Sequence, residues 1–202
     1  MAEDAEAHAI IGGNKQGKSS LVKLLVEKYD KRSQKVVILN NSNPLAFSNY
    51  AYYSTPDILH KRWHGIIRYH NEAGGFKQSL ADVYEAARSK RLTNGCVVFD
   101  DCTKYIDSNV PQDVKDFLVD RRMINLDLFF TTHSLAFLPP FVRRMVNTVT
   151  VFKTAENFEK PREVKELKYA NYEALFDAWT EVMAAAPNKG FIQPHLTIET
   201  GI

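Results

Sequence analysis

Cysteine is nearly absent from this chain, with two in 202 residues, Cys96 and Cys102, on either side of one strand-like run. That is too few for a disulfide framework or a cysteine metal site, and the pair reads as reduced thiols of an intracellular protein. Long apolar runs are missing too, since none approaches the roughly 18 residues that span a bilayer. The first residues, Met1-Ala2-Glu3-Asp4-Ala5-Glu6, are acidic where a secretory signal would be basic. A soluble, cytoplasmic protein with no membrane insertion is expected. Neither charge sign dominates, because 26 Lys and Arg against 24 Asp and Glu leave a net +2. Dedicated nucleic-acid modules are usually more basic, so charge neither requires nor forbids a polyanionic partner. Internal repeats and low-complexity tracts are also lacking. At 45% hydrophobic and 25% charged residues the composition is globular. A single domain over residues 1–202 can bury roughly 70% of its unfolded surface without a staple.

What the chain does contain is alternation. Ala7–Ile11, Val36–Leu39, Cys96–Phe99, Leu126–Thr131 and Val149–Phe152 read as strands, with Gly65–His70 a candidate sixth. The first four are almost continuously apolar, as strands covered on both faces of a parallel sheet are. Between them, Ser19–Tyr29, Gln78–Arg91 and Pro111–Met123 repeat apolar residues at helical spacing, and Asn171–Ala186 follows after the last strand. Glu156–Lys168 is charged, contains Pro161 and reads as an exposed connection. The pattern predicts an α/β domain with a central, mostly parallel sheet and helices on both faces.

Gly12-Gly13-Asn14-Lys15-Gln16-Gly17-Lys18-Ser19 fits G-x-x-x-x-G-K-[ST] at every fixed position, after a strand and at the start of a helix. Glycines let the backbone turn so that successive N–H groups face one phosphate. The helix N-terminus adds its positive dipole end, and Ser20 continues that first turn. Lys18 is placed to reach β- and γ-phosphates and the Ser19 hydroxyl to ligate Mg²⁺, so ATP with Mg²⁺ is the expected ligand. Lys15 reads as solvated.

Cys96–Phe99 ends in Asp100-Asp101. Asp100 at a strand's carboxyl end can hold Mg²⁺ as a Walker B aspartate does, and Asp101 can orient or deprotonate the attacking water. The strand Leu126–Thr131 ends in Thr132-His133-Ser134, where Thr132 or, preferentially, His133 would sense the γ-phosphate. Ser134 could equally be a turn cap. Tyr50, Tyr52 and Tyr53 could stack on a base, although packing at an edge is the plainer reading. Arg88, Lys90 and Arg91, with Thr93 and Asn94, form either a phosphate-facing surface or a solvated helix end.

In order and spacing, the P-loop, Asp100-Asp101, Asp120-Arg121-Arg122, Thr131-Thr132-His133-Ser134 and the Leu138–Asn147 stretch resemble the HerA–FtsK superfamily of DNA-pumping ATPases. The resemblance spans about residues 7–153, leaving a C-terminal helix and tail over 154–202. Within the superfamily it points to compact genome-packaging ATPases of membrane-containing and related viruses. In that clade an Arg-His pair often precedes the sensor strand and a glutamine ends it; here Arg121-Arg122 and His133 stand in those places. It implies a P-loop NTPase fold of the RecA/ASCE type and an ATPase that moves double-stranded DNA into a capsid. Capsid or portal proteins would be partners, in the host cytoplasm or virion. It also implies a homo-oligomeric ring in which one subunit's arginine completes its neighbour's site; candidates are Arg121, Arg122, Arg143 and Arg144. Two other readings remain. Phage-assembly ATPases of the zonula-occludens-toxin type usually carry a transmembrane segment. Small-molecule kinases usually carry an Arg-rich lid, and Pro139-Pro140 interrupts the best candidate for one.

Overall fold

Backbone pairing converts that alternation into one eight-stranded sheet. The computed structural model describes residues 5–32, 34–40, 47–106, 109–187, 190 and 192–200. Its strands are β1 (Ala7–Ile11), β2 (Lys35–Leu39), β3 (Ala51–Tyr53), β4 (Gly65–Tyr69), β5 (Gly95–Phe99), β6 (Leu126–Thr132), β7 (Thr148–Val151) and β8 (Leu196–Glu199), in the order β3-β4-β2-β5-β6-β1-β7-β8. All pairings are parallel except that of β7 with β8. Parallel pairing needs crossover helices, which cover both faces and explain the apolar strands.

Those helices are α1 (Lys18–Lys31), α2 (Asp57–His60), α3 (Gly75–Arg88), α4 (Gln112–Ile124), α5 (Pro140–Met145), α6 (Pro161–Glu166) and α7 (Tyr172–Ala184). Successive strand residues point to opposite faces, so the central strands β1, β2, β5 and β6 feed two cores. In β5, Cys96 and Val98 join Val22 and Val26 of α1, while Val97 and Phe99 face the core that includes Leu80, Phe117 and Trp179. Cys96 and Cys102 are buried free thiols, and burial pushes both up from the ordinary thiol range.

The structure departs from the pattern in a few places. β3 and β8 are short edge strands whose alternating exposure carries no continuous apolar signal. α3 ends at Arg88, three residues early, because Lys90 turns left-handed (φ 59°) and the Arg91 N–H folds back onto the Ala86 carbonyl. The expected exposed connection Glu156–Lys168 contains α6, anchored by buried Val164. Tyr52 and Tyr53 lie on β3, where the Tyr52 hydroxyl donates to Glu72 at 2.9 Å. Arg88, Lys90, Thr93 and Asn94 line a cavity between the ends of α3 and α4.

Phe130 is fully buried and stacks on Phe99 with ring centroids 4.7 Å apart. Phe130→Ala should cost about 3–5 kcal/mol of unfolding free energy, read as a lower urea midpoint at unchanged slope.

Candidate nucleotide-binding site

The loop after β1 is held from both sides. The Gly12 N–H donates to the Thr132 carbonyl at the end of β6 (3.1 Å), and the Gly13 N–H donates to the Lys153 carbonyl just beyond β7 (2.6 Å). A methyl group at Gly12 would lie 2.5 Å from Phe152 Cβ, so only glycine fits there. Lys15 (φ 62°) and Gly17 (φ 93°) are left-handed, and the backbone curls before α1 starts at Lys18. No acidic residue lies in the first turn of α1, which leaves its dipole end to an anion.

Lys18 folds back over this curl. Its ammonium donates to the carbonyls of Gly12 (2.5 Å) and Gly13 (2.9 Å) and lies 3.3 Å from His133 Nδ1. Burial draws Lys18 below the ordinary lysine range, with Asp100 and Asp101 opposing. Burial, then the Lys18 charge, depresses His133, so Nδ1 acts as an acceptor towards the ammonium.

Across the cavity stand the two carboxylates. Asp100 follows β5, donates its N–H to the Leu39 carbonyl (3.2 Å) and accepts from the Thr131 hydroxyl (3.3 Å). Burial raises its pKa. Asn40, at the end of β2, favours the ionised form from the other side, although its amide makes no hydrogen bond of good geometry. Asp101 is left-handed (φ 55°), and its N–H donates to Thr131 Oγ1 at 2.7 Å. Its carboxylate pairs with Lys104 (3.0 Å), accepts from the Thr103 hydroxyl (2.8 Å) and faces His133 Nε2 at 4.0 Å. Burial pushes Asp101 up, but those two hydrogen bonds outweigh it and hold the carboxyl below its ordinary range.

A cavity of about 500 Å³ joins these groups, with Asn14 to Ser20 on one wall and Asp100, Asp101, Lys104, Thr131, Thr132 and His133 on the other. Ser19 and Asp100 offer oxygen donors, the set that suits a hard cation such as Mg²⁺, and the half-buried carboxylate of Asp100 gains from a nearby positive charge. Thr132 Oγ1 is buried without a hydrogen-bond partner, whereas His133 touches Lys18 and faces Asp101. Ser134 caps its own turn by accepting from the Ala136 N–H (3.1 Å) and also donates to Glu156. Sequence reasoning missed Lys104 and gave Thr131 no role of its own. A lysine three residues beyond an aspartate pair was the available signal for the first.

The arginines separate into two kinds. Arg143 is only 6% exposed and donates to the carbonyls of Leu138, Leu167 and Ala136 within its own chain. Arg121 is buried likewise and donates to the Leu118 carbonyl and to Asn147 Oδ1 (3.0 Å). Neither guanidinium stands at the surface, where a residue serving a neighbour must be. Arg122 and Arg144 are exposed.

The strand that ends at Thr131-Thr132-His133 lies between the P-loop strand and the Asp100-Asp101 strand. This is an α/β P-loop NTPase fold of the RecA/ASCE type. No protein-family model matches the sequence, and no curated protein matches it either. Solved structures do. The chain is similar in fold to the genome-packaging NTPase B204 of Sulfolobus turreted icosahedral virus 2 in complex with sulfate, with a TM-score of 0.75 and 16% identity over 98% of this chain and 93% of that one. The complex of that protein with ATP-gammaS gives 0.74 and 15% identity over 98% and 94%. B204, the DNA-packaging ATPase of Sulfolobus turreted icosahedral virus, gives 0.70 and 18% identity over 99% and 94%.

Because burial raises the Asp100 pKa, its stabilising contribution is full below the unfolded value of 3.8 and is lost as pH rises through the folded value. Without nucleotide or divalent metal, Asp100→Asn should therefore raise the melting temperature at pH 7.5, and the gain should vanish as pH falls below the ordinary carboxylate range. A scanning calorimetry series over pH measures this.

Proposed function

We propose that this chain is a Mg²⁺-dependent ATPase that translocates double-stranded DNA, packaging a viral genome into a capsid as a ring of identical subunits. The observation that carries the reading is the meeting of Lys18, Ser19, Asp100, Asp101 and His133 on one cavity at the carboxyl ends of the strands. The likeness in fold to viral packaging NTPases, over nearly the whole length of both chains, supports the packaging role.

The residues divide the work. Backbone amides of Asn14 to Ser19 cradle the phosphates, and Lys18 exchanges the Gly12 and Gly13 carbonyls for β- and γ-phosphate oxygens. Ser19 and Asp100 would hold Mg²⁺, which supplies charge neutralisation at those oxygens. Asp101 orients the attacking water and accepts its proton. His133, between Lys18 and Asp101, reports whether the γ-phosphate is present. Among the described residues no helix is long and apolar enough to cross a membrane. The ring reading has support in α4, where Val119 (63% exposed) and Met123 (82%) flank Arg122 one helical turn apart, an apolar stripe suited to a subunit contact. Arg122 and Arg144 are the residues proposed to act in trans; capsid or portal proteins are the proposed further partners.

Lys18→Ala should abolish turnover. Arg144→Ala or Arg122→Ala, whichever residue acts in trans, should lower turnover by on the order of 10³-fold or more at unchanged melting temperature and nucleotide affinity. Mixed with Lys18→Ala subunits, that variant should regain part of its activity, because some mixed interfaces hold both intact halves. Arg143→Ala should instead cost about 2–4 kcal/mol of stability by orphaning buried carbonyls. Turnover per subunit that stays flat on dilution, together with failed rescue in every mixture, would sink the ring motor and favour a cis-acting kinase.

A further inference from the structure

Lys104 sits where the proposed hydrolysis has no assigned use for it. The 3₁₀ turn Cys102–Lys104 follows left-handed Asp101 and is pinned by buried Cys102 and Tyr105. Its base is therefore fixed on the cavity wall opposite the P-loop, while the side chain is 42% exposed on a flexible four-carbon stem. The ammonium lies 3.0 Å from Asp101 Oδ2, and the Thr103 hydroxyl lies 2.8 Å from Oδ1, so both carboxylate oxygens are engaged. With His133 they complete a chain of polar contacts, Lys18 to His133 to Asp101 to Lys104, from one wall of the cavity to the other.

With an ammonium 3.0 Å away, this carboxylate is a weaker proton acceptor towards water. For Asp101 to act, Lys104 must find a better anion, and a terminal phosphate carries more charge than a carboxylate. With the P-loop amides on the α- and β-phosphates and Lys18 on the β- and γ-phosphates, a γ-phosphate bound as proposed would lie between Lys18 and the wall that bears Lys104.

We propose that Lys104 determines specificity for the triphosphate: its ammonium leaves Asp101 for the γ-phosphate, which favours triphosphate over diphosphate and frees Asp101 to position water. The inference rests on the nucleotide-binding reading above. With a diphosphate bound, Lys104 stays on Asp101 and the site remains inactive.

Titration calorimetry on the full chain, with Mg²⁺ and either ATP-gammaS or ADP, tests it in the wild type, Lys104→Ala and Lys104→Arg. Lys104→Ala should lose about tenfold in affinity for ATP-gammaS, the worth of one charge-assisted contact, with ADP affinity changed by less than about twofold. Lys104→Arg should restore most of the loss. Equal changes for the two nucleotides, or no change for either, overturn the role of Lys104 and leave the site assignment standing. A wild-type chain that binds neither nucleotide overturns the site assignment itself.

Discussion

The position of β1 between β6 and β7 governs everything at this site. Parallel pairing puts the ends of the three strands at one level, with Ile11 beside Thr132 on one side and Val151 on the other. The carbonyls of Thr132, at the end of β6, and of Lys153, just beyond β7, then capture the N–H groups of Gly12 and Gly13. The loop is fixed at two points before it begins to curl, so the amides that follow are aimed by the sheet and not by the loop's own conformational preference. Gly12 is required by this arrangement, since Phe152 packs where its side chain would be.

The same level sets the electrostatics. Asp100 and Thr131 end neighbouring strands on the face that α1 covers, so one hydroxyl serves both aspartates: it donates to the Asp100 carboxylate and accepts from the Asp101 N–H. Asp100 lies deeper and has a raised pKa; Asp101, bent outward by its left-handed backbone, has a lowered one. Two adjacent carboxylates thus acquire different characters from environment alone, one suited to a cation and one suited to remain ionised near water.

The sheet and the P-loop were legible because their signals are local. Cys96–Phe99 is apolar on both faces, and Gly12 to Ser19 is a contiguous run whose spacing is itself the chemistry. β3 and β8 were not legible, because three or four residues of alternating exposure at a sheet edge look like any other loop. Lys104 was missed for a different reason. Its significance lies in a pairing made by a tight turn, and nothing in Cys102-Thr103-Lys104 announces which way that turn points. Burial of Arg121 and Arg143 was likewise hidden, since arginine is seldom buried unless paired, and the pairing groups here are backbone carbonyls and one amide that no motif displays.

Arg143 also ties the segment after His133 to the rest of the fold. Its fork takes the carbonyls of Ala136 and Leu138 from the segment that leaves His133, and the carbonyl of Leu167 from just past α6. Its guanidinium lies 5.6 Å from the centroid of the Tyr169 ring, and the Tyr169 hydroxyl donates to the Leu135 carbonyl at 2.9 Å. Five residues past His133 and the stretch after α6 are therefore held as one piece, with charge-assisted bonds whose loss would orphan three carbonyls. If His133 senses phosphate as proposed, its displacement would meet a braced segment joined to α5 and to the end of α6, not a slack loop. A hydrolysis sensor that must move something larger than itself needs this stiffness, and a buried arginine supplies it better than an exposed one.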